Sequence, residues 1–416
     1  MKDVVIVAAG ASCPIGFTVE EVFDSLKNSR SSVGPIDRFN TKRLKTGVGG
    51  EVNLNTVIKS LGRDEISCPF LLEDLKLIDN PKLTFALSAC VQAITGQSSL
   101  SSPLPHWTQD IALYTTGGLE KISIDALWKG ADKDCHICPE FPPTWLGEIL
   151  SSFFSLSTPP VTIVAACASS TQSIGEAARA VEDGTVEIAL AGGTDSMLFP
   201  FGINAFNSLG ALAEGHSAEC KLAPFDQNRG GTLLGEGSAY VLMTSKEKAR
   251  ELGLKPLCQI IGYASSLDGY HPVKPHPEGR GANTALRRAL ADGKVVPDEV
   301  DYVNAHGSGT YHNDLVEALV INEVFSKGER QVPVSSTKPF YGHLLTAGGA
   351  IELLSLLFAF DRDLIPPTLN LDKLDESCDI DCVDKTRSSR VDVAVSNSFG
   401  LHGQNGVLVL RAIENG

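Results

Sequence analysis

Val161-Thr162-Ile163-Val164-Ala165-Ala166-Cys167-Ala168-Ser169-Ser170 is a β-branched run that ends in small residues around a cysteine. A run of this kind reads as a buried strand turning a corner. The apolar residues that follow, Ile174, Ala177, Ala178 and Val181, fall at i, i+3, i+4 and i+7, one face of a helix. Strand, corner and helix in that order are the repeating unit of an α/β fold. The unit recurs where Val332 to Ser335 runs into Lys338, Gly342 and His343, then into a Gly/Ala-rich helix from Thr346 to Phe360. Each half of the chain also opens on a strand ending in small residues, Val4–Gly10 and Ile260–Ser266. We therefore expect two similar α/β halves, residues 1–256 and 257–416, packed so that the two corners meet.

Further strands are expected at Val4–Ala8, Val186–Ala191, Cys258–Tyr263, Val300–Asn304, Val391–Val395 and Val407–Leu410, with helical patterns between them. The 416 residues, 43% hydrophobic and 20% charged, have an ordinary globular composition, which excludes collagen, coiled coil and disorder. The net charge of −15 argues against a nucleic-acid partner and against general binding to a membrane surface, since both need a positive field. No apolar run reaches the ~18 residues of a membrane span. Val4 to Ala11 could pass for a signal-peptide core, but Asp3 spoils its positive flank. It reads as a first strand, and the protein as cytoplasmic.

The ten cysteines do not imply a disulfide framework in a chain this rich in core residues. Cys135 and Cys138 form one close pair, and Cys378 with Cys382 a looser one. A zinc site would need the two pairs to converge, which the spacing does not show, so no metal is expected. Neither a Rossmann fingerprint nor a P-loop stands at a strand-to-helix junction, so no nucleotide cofactor is expected. The absence of a G-x-S-x-G elbow removes a serine hydrolase.

Cys167 lies where a helix begins, and orphan N–H groups there favour the thiolate over the thiol. A free thiol titrates near ~8.5, so a modest downward shift would supply a nucleophile at neutral pH. A lone cysteine is more often a small core residue, and taken singly Cys167 leaves both readings open. His306, in Asn304-Ala305-His306-Gly307-Ser308-Gly309-Thr310, and His343, in Lys338-Pro339-Phe340-Tyr341-Gly342-His343, each stand beside glycine at a strand end. Glycine there lets a substrate backbone approach an imidazole closely, although a turn histidine satisfied by backbone groups has the same look.

Together, Cys167, His306, Lys338 and His343 resemble the β-ketoacyl-ACP synthases of the thiolase-like superfamily, the condensing enzymes of fatty-acid and polyketide assembly. The resemblance runs from the opening strand to Asn397-Ser398-Phe399-Gly400-Leu401-His402-Gly403-Gln404-Asn405-Gly406. It takes in Ala191-Gly192-Gly193-Thr194-Asp195, Pro224-Phe225-Asp226, Leu234-Gly235-Glu236-Gly237 and Ser335-Ser336-Thr337-Lys338. Within the family the chain looks most like the elongating, type II kind, including type II polyketide ketosynthases. The resemblance implies a thiolase-like fold, two α/β halves in a layered α-β-α-β-α core. It implies that an acyl group passes from the phosphopantetheine thiol of an acyl carrier protein to Cys167. Malonyl-carrier then loses CO2, and its enolate attacks the acyl-thioester. His306 and His343 would stabilise the enolate through Nε2–H, and the N–H groups of Cys167 and Leu401 would form the oxyanion hole. Lys338 with Glu352 would fix the imidazoles, Ser308 and Thr310 would hold the pantetheine arm, and Phe399 and His402 would support the loop. No cofactor of the protein's own is implied, because the phosphopantetheine belongs to the carrier. A homodimer, or a heterodimer with a chain-length-factor-like subunit, is the expected assembly.

Two other readings remain on the same fold. A CoA-using thiolase-like enzyme would carry a second late cysteine or a Cys-His-Asn set. A tunnel-shaping subunit with a non-catalytic or regulatory role would generally lack the nucleophilic cysteine. The departures from the family pattern concern substrate and docking. Where the family reads Gly-Phe-Gly-Gly-Thr-Asn, this chain has Leu401 for the gating aromatic and His402 for a glycine. Histidine there is expected to remove φ > 0 freedom and stiffen the hinge, and either to bring a third imidazole next to the oxyanion donor or to face solvent at the tunnel rim. The basic carrier-facing segment is missing from Phe70-Leu71-Leu72-Glu73-Asp74-Leu75-Lys76, and the stretch from Lys121 to Phe154 is short and unusual.

Overall fold

The computed structural model describes residues 2–61, 80–97, 104–118, 142–325 and 331–413. Its main sheet has eleven strands: β1 (Val4–Ser12), β2 (Ile111–Thr116), β3 (Val161–Ile163), β4 (Ile188–Ser196), β5 (Glu236–Ser245), β6 (Cys258–Leu267), β7 (Tyr302–Asn304), β8 (Pro333–Ser335), β9 (Asp381–Cys382), β10 (Val393–Phe399) and β11 (Gln404–Ala412). Their order is β9-β8-β7-β10-β11-β6-β1-β5-β4-β2-β3. The order repeats itself outward from the middle. β1 pairs antiparallel with β5, β5 antiparallel with β4, β4 parallel with β2 and β2 parallel with β3. In the same sequence β6 pairs antiparallel with β11, β11 antiparallel with β10, β10 parallel with β7 and β7 parallel with β8. β1 and β6 join the two sets through Val4–Ile6.

Helices complete the layers. α1 (Pro81–Thr95) covers the outer face of the first set. α2 (Ser169–Asp183) and α5 (Gly348–Arg362) share one core between the two sets, and α3 (Arg280–Asp292) with α4 (Tyr311–Phe325) covers the outer face of the second. Ile174, Ala177, Ala178 and Val181 face inward as their spacing requires, into the same core as Leu353, Leu354 and Leu357 of α5. α5 is buried almost all round, as a helix without a polar face must be. The result is the layered α-β-α-β-α arrangement of the thiolase-like fold.

The element ends differ from the sequence expectation for local reasons. β3 stops at Ile163 because the Ala165 N–H turns out of the ladder to donate to Ser169 Oγ at 2.8 Å. α5 starts at Gly348, not Thr346, because Leu345–Ala347 first makes a tight 3-10 turn. Among the described residues, no helix is long and apolar enough to cross a membrane.

Candidate active site

Both corners bring their side chains to the middle of the molecule. Ala166 has φ +48° and is followed by the 3-10 turn that carries Cys167 into α2. In the second half Leu345 also has φ +48° and is followed by the same kind of turn into α5. His343 stands two residues before Leu345. It is aimed by Gly342, whose φ of +82° belongs to glycine and whose Cβ position lies 2.8 Å from the Gly235 nitrogen. His343 Nε2 is 3.1 Å from Cys167 Sγ. The His306 ring stands edge-on to that of His343, centroids 5.3 Å apart, and Phe399 packs beside it at 6.2 Å.

The tautomers are set by groups that can only donate. Lys338 Nζ is 3.3 Å from His306 Nδ1, and an ammonium only donates, so Nδ1 accepts and the ring proton sits on Nε2. The Leu345 N–H points at His343 Nδ1 at 3.4 Å, which leaves the proton of that ring on Nε2 as well. Lys338 Nζ also binds the His306 carbonyl and the Glu352 carboxylate. Burial, and then the nearby Lys338 charge, holds both imidazoles well below the usual histidine range, so both are neutral.

The thiol differs from the sequence expectation. Burial pushes Cys167 up to about 12, and this outweighs the lowering by Lys338 and by the Leu401 N–H that points at the sulfur. The resting group is a thiol beside a neutral imidazole, not a thiolate made by a helix N-terminus. The loop crosses it closely: a Cβ on Gly400 would lie 3.0 Å from the Cys167 nitrogen and 3.1 Å from the Ala165 carbonyl, so a larger residue there would have to push the two segments apart.

A cavity of ≈ 460 Å³ runs from Cys167, His306 and His343 to the surface, lined among others by Ser308, Thr310, Phe399, Gly400 and Leu401. Ser308 Oγ and Thr310 Oγ1 are 2.9 Å apart on its wall. His402 is the residue the structure does not bring in. Its side chain is exposed, it is absent from the cavity wall, and its N–H donates to Pro272 O at 2.8 Å. It adopts φ +62° itself, so histidine does not remove the left-handed conformation from the loop.

Sequence reading missed Glu317. Its carboxylate accepts the N–H groups of His306 (2.8 Å) and Gly307 (2.7 Å), and Asn397 donates to it at 3.2 Å. Burial pushes it up to about 7. Its place on α4, immediately after the histidine turn, was the available signal. Among the described residues no group of three or more His, Cys, Asp or Glu could hold a metal ion. Cys135, Cys138, the Phe70–Lys76 segment and most of the stretch from Lys121 to Phe154 lie outside the described residues.

The chain matches the beta-ketoacyl synthase N-terminal domain over residues 1–249 and the beta-ketoacyl synthase C-terminal domain over residues 257–372. It is 33% identical to a 3-oxoacyl-(acyl-carrier-protein) synthase 2 of Synechocystis sp., over 99% of this chain and 98% of the relative. A second synthase 2, from Coxiella burnetii, is 32% identical over 99% of each chain. Among solved structures, a type II polyketide ketosynthase in complex with its acyl-carrier protein, bound to the hexaketide, superposes with a TM-score of 0.83. That match has 26% identity and covers 99% of this chain and 100% of the other. The ishigamide ketosynthase/chain length factor superposes with a TM-score of 0.81 and 25% identity, over 99% of each chain. With its thiol, paired imidazoles and buried lysine on this fold, the chain belongs to the beta-ketoacyl synthase family.

Proposed function

We propose that the protein is an acyltransferase that condenses an acyl group held on Cys167 with malonyl-acyl carrier protein, giving 3-oxoacyl-carrier in fatty-acid or type II polyketide synthesis. The observation that carries this is the 3.1 Å contact between Cys167 Sγ and His343 Nε2, with His306 beside it and a buried lysine behind. Residues 1–256 supply the nucleophile and residues 257–416 the two imidazoles.

In the first step the sulfur attacks the thioester carbonyl of the incoming acyl-carrier. The oxyanion is held by the Cys167 and Leu401 N–H groups, and one such donor contributes roughly 2.7–4 kcal/mol in the transition state. His343 Nε2–H steadies the charge that forms on sulfur, and the thiol proton leaves on the departing pantetheine sulfur. In the second step malonyl-carrier enters along Ser308 and Thr310. Its C–C bond breaks, CO2 departs, and the electron pair forms an enolate whose oxygen accepts Nε2–H from His306 and His343. The enolate carbon attacks the acyl carbonyl, and collapse of the adduct releases the Cys167 thiolate, which takes a proton from solvent. Two neutral donors fit a reaction whose charge moves through oxygen, and they need not change protonation state between steps.

The partner is an acyl carrier protein, which brings the phosphopantetheine, so the enzyme needs no cofactor of its own. The assembly is a homodimer, or a heterodimer with a chain-length-factor-like subunit, in the cytoplasm. The test is to incubate the protein with a panel of acyl-carrier thioesters and locate the retained acyl group by intact mass and peptide mapping. We expect it on Cys167, and Cys167→Ala should retain none while staying folded. An acyl group mapped to another thiol would overturn the assignment.

A further inference from the structure

We propose that Asp195, with Lys82 and Thr346, positions His343, a role that rests on the reading of His343 above. Leu345 is a non-glycine residue at φ +48°, a conformation that persists only where the surroundings over-determine it. The over-determination comes from the first half of the chain. Asp195 Oδ2 accepts both the Thr346 N–H at 3.1 Å and the Thr346 hydroxyl at 2.9 Å, and Thr346 Oγ1 also lies 3.0 Å from the Thr194 carbonyl. The other oxygen, Oδ1, accepts the Ser196 N–H at 2.8 Å and lies 3.4 Å from Lys82 Nζ. Lys82, Asp195 and Thr346 are each more than nine-tenths buried.

Thr346 occupies in the second corner the place that Cys167 occupies in the first. Each follows a residue at φ +48° and precedes a helix. At one corner the side chain is the nucleophile. At the other it is tied down by a carboxylate from β4. The tie has a consequence at His343, because the same turn supplies the Leu345 N–H that faces Nδ1 at 3.4 Å and so keeps the ring proton on Nε2, toward Cys167. Without the anchor Leu345 relaxes out of the left-handed region, its N–H leaves Nδ1, and the imidazole populates both tautomers. Lys82 keeps the buried Asp195 from standing as an uncompensated charge near the sulfur.

The test uses Thr346→Val, which keeps shape and backbone N–H but removes the hydroxyl, with Thr346→Ser as rescue and Lys82→Met against Lys82→Arg as a second pair. Nitrogen-15 NMR of the His343 imidazole in the resting enzyme reads the tautomer independently of turnover. We expect Thr346→Val and Lys82→Met to show mixed tautomers and about tenfold lower condensation kcat with little change in KM. Thr346→Ser and Lys82→Arg should restore the single Nε2–H form. Thr346→Val with a single tautomer and parental kcat overturns the proposal, as does a lost kcat with the tautomer unchanged. If His343→Ala keeps its condensation rate, the reading of His343 falls instead, whatever the NMR shows.

Discussion

Lys338→Ala separates what the buried ion pair does for folding from what it does for chemistry. Lys338 and Glu352 are each 1% exposed, and their contact lies in the core between α5 and the His306 turn. Lys338 is the partner of Glu352 Oε1, and Oε2 has no hydrogen-bond partner among the described residues. Truncating the lysine therefore strands a carboxylate in the interior, which costs roughly 3–5 kcal/mol. The loss should depend on pH with a definite sign. Burial already raises Glu352 above the usual carboxylate range, with Lys338 opposing, and removing Lys338 raises it further. The folded variant then holds a proton that the unfolded chain releases, so its deficit against the parent shrinks toward low pH and grows as pH rises. Replacing both partners, Lys338→Met with Glu352→Leu, should recover most of the lost stability, because a buried pair is often no better than well-packed apolar residues. Condensation should not recover. His306 Nδ1 has lost its donor in both variants, and a misdirected Nε2–H costs about 10²–10³-fold. The assays are urea unfolding at several pH values and separate measurement of Cys167 acylation and malonyl decarboxylation. Recovery of condensation in the double variant would refute the reasoning, as would an unchanged stability in Lys338→Ala.

His343→Ala should leave acylation of Cys167 largely standing while condensation falls steeply, read by acyl-enzyme mass and by product formation; equal loss in both half-reactions would assign it a structural role. Glu317, pushed up to about 7 by burial from an ordinary 4.5, holds a proton in the folded state that it lacks when unfolded. It therefore contributes about 3 kcal/mol that is present below pH 4.5 and lost as pH rises through 7. Glu317→Gln should flatten that part of the stability profile in urea unfolding, and a profile that keeps its slope would remove Glu317 as the source. Leu401→Phe with His402→Gly should shift acyl-carrier preference toward ordinary saturated chains, and the single variants should assign the shift to Leu401, which lines the cavity, not to exposed His402. An unchanged chain-length and saturation profile in the double variant would move the selector elsewhere, with the Lys121–Phe154 stretch the first place to look.

The fold was legible where one residue type served both local preference and burial. The i, i+3, i+4, i+7 spacing of Ile174, Ala177, Ala178 and Val181 is a helix face in the sequence and a packed face in the structure. β5 was not legible. The segment was not among the expected strands, yet it is a buried strand between β1 and β4, with Gly237 at φ +143° against the Ser12 carbonyl. In the site, Cys167, His306 and His343 each sit among small residues or beside glycine at a strand end, which singly left them open; with Lys338 they stood out through their joint resemblance to the β-ketoacyl-ACP synthases. Asp195 and Glu317 did not, because their work is to accept backbone N–H groups. An acceptor looks like any other acid until the chain folds around it.

The sulfur and the imidazoles are best understood as one decision about charge. A thiol raised to about 12 is a poor nucleophile at rest, and its use becomes clear in the second half-reaction. A site that stabilised the free thiolate would make it a better leaving group when the enolate attacks, but it would also shift the exchange of acyl-carrier and enzyme thiol for acyl-enzyme and carrier thiol back toward the free enzyme. A dry pocket does the reverse: it disfavours every free charge, on sulfur and on both rings, and leaves only fixed dipoles to receive charge as it forms. In the proposed mechanism those dipoles are the Cys167 and Leu401 N–H groups and the two Nε2–H groups. The two imidazoles are held from behind, by the donors on His306 and His343 Nδ1. The cation behind the imidazoles, Lys338, is already answered by Glu352, so it polarises the site without inviting a permanent thiolate. Burial and orientation together thus keep the resting enzyme neutral and let charge appear only while substrate is bound.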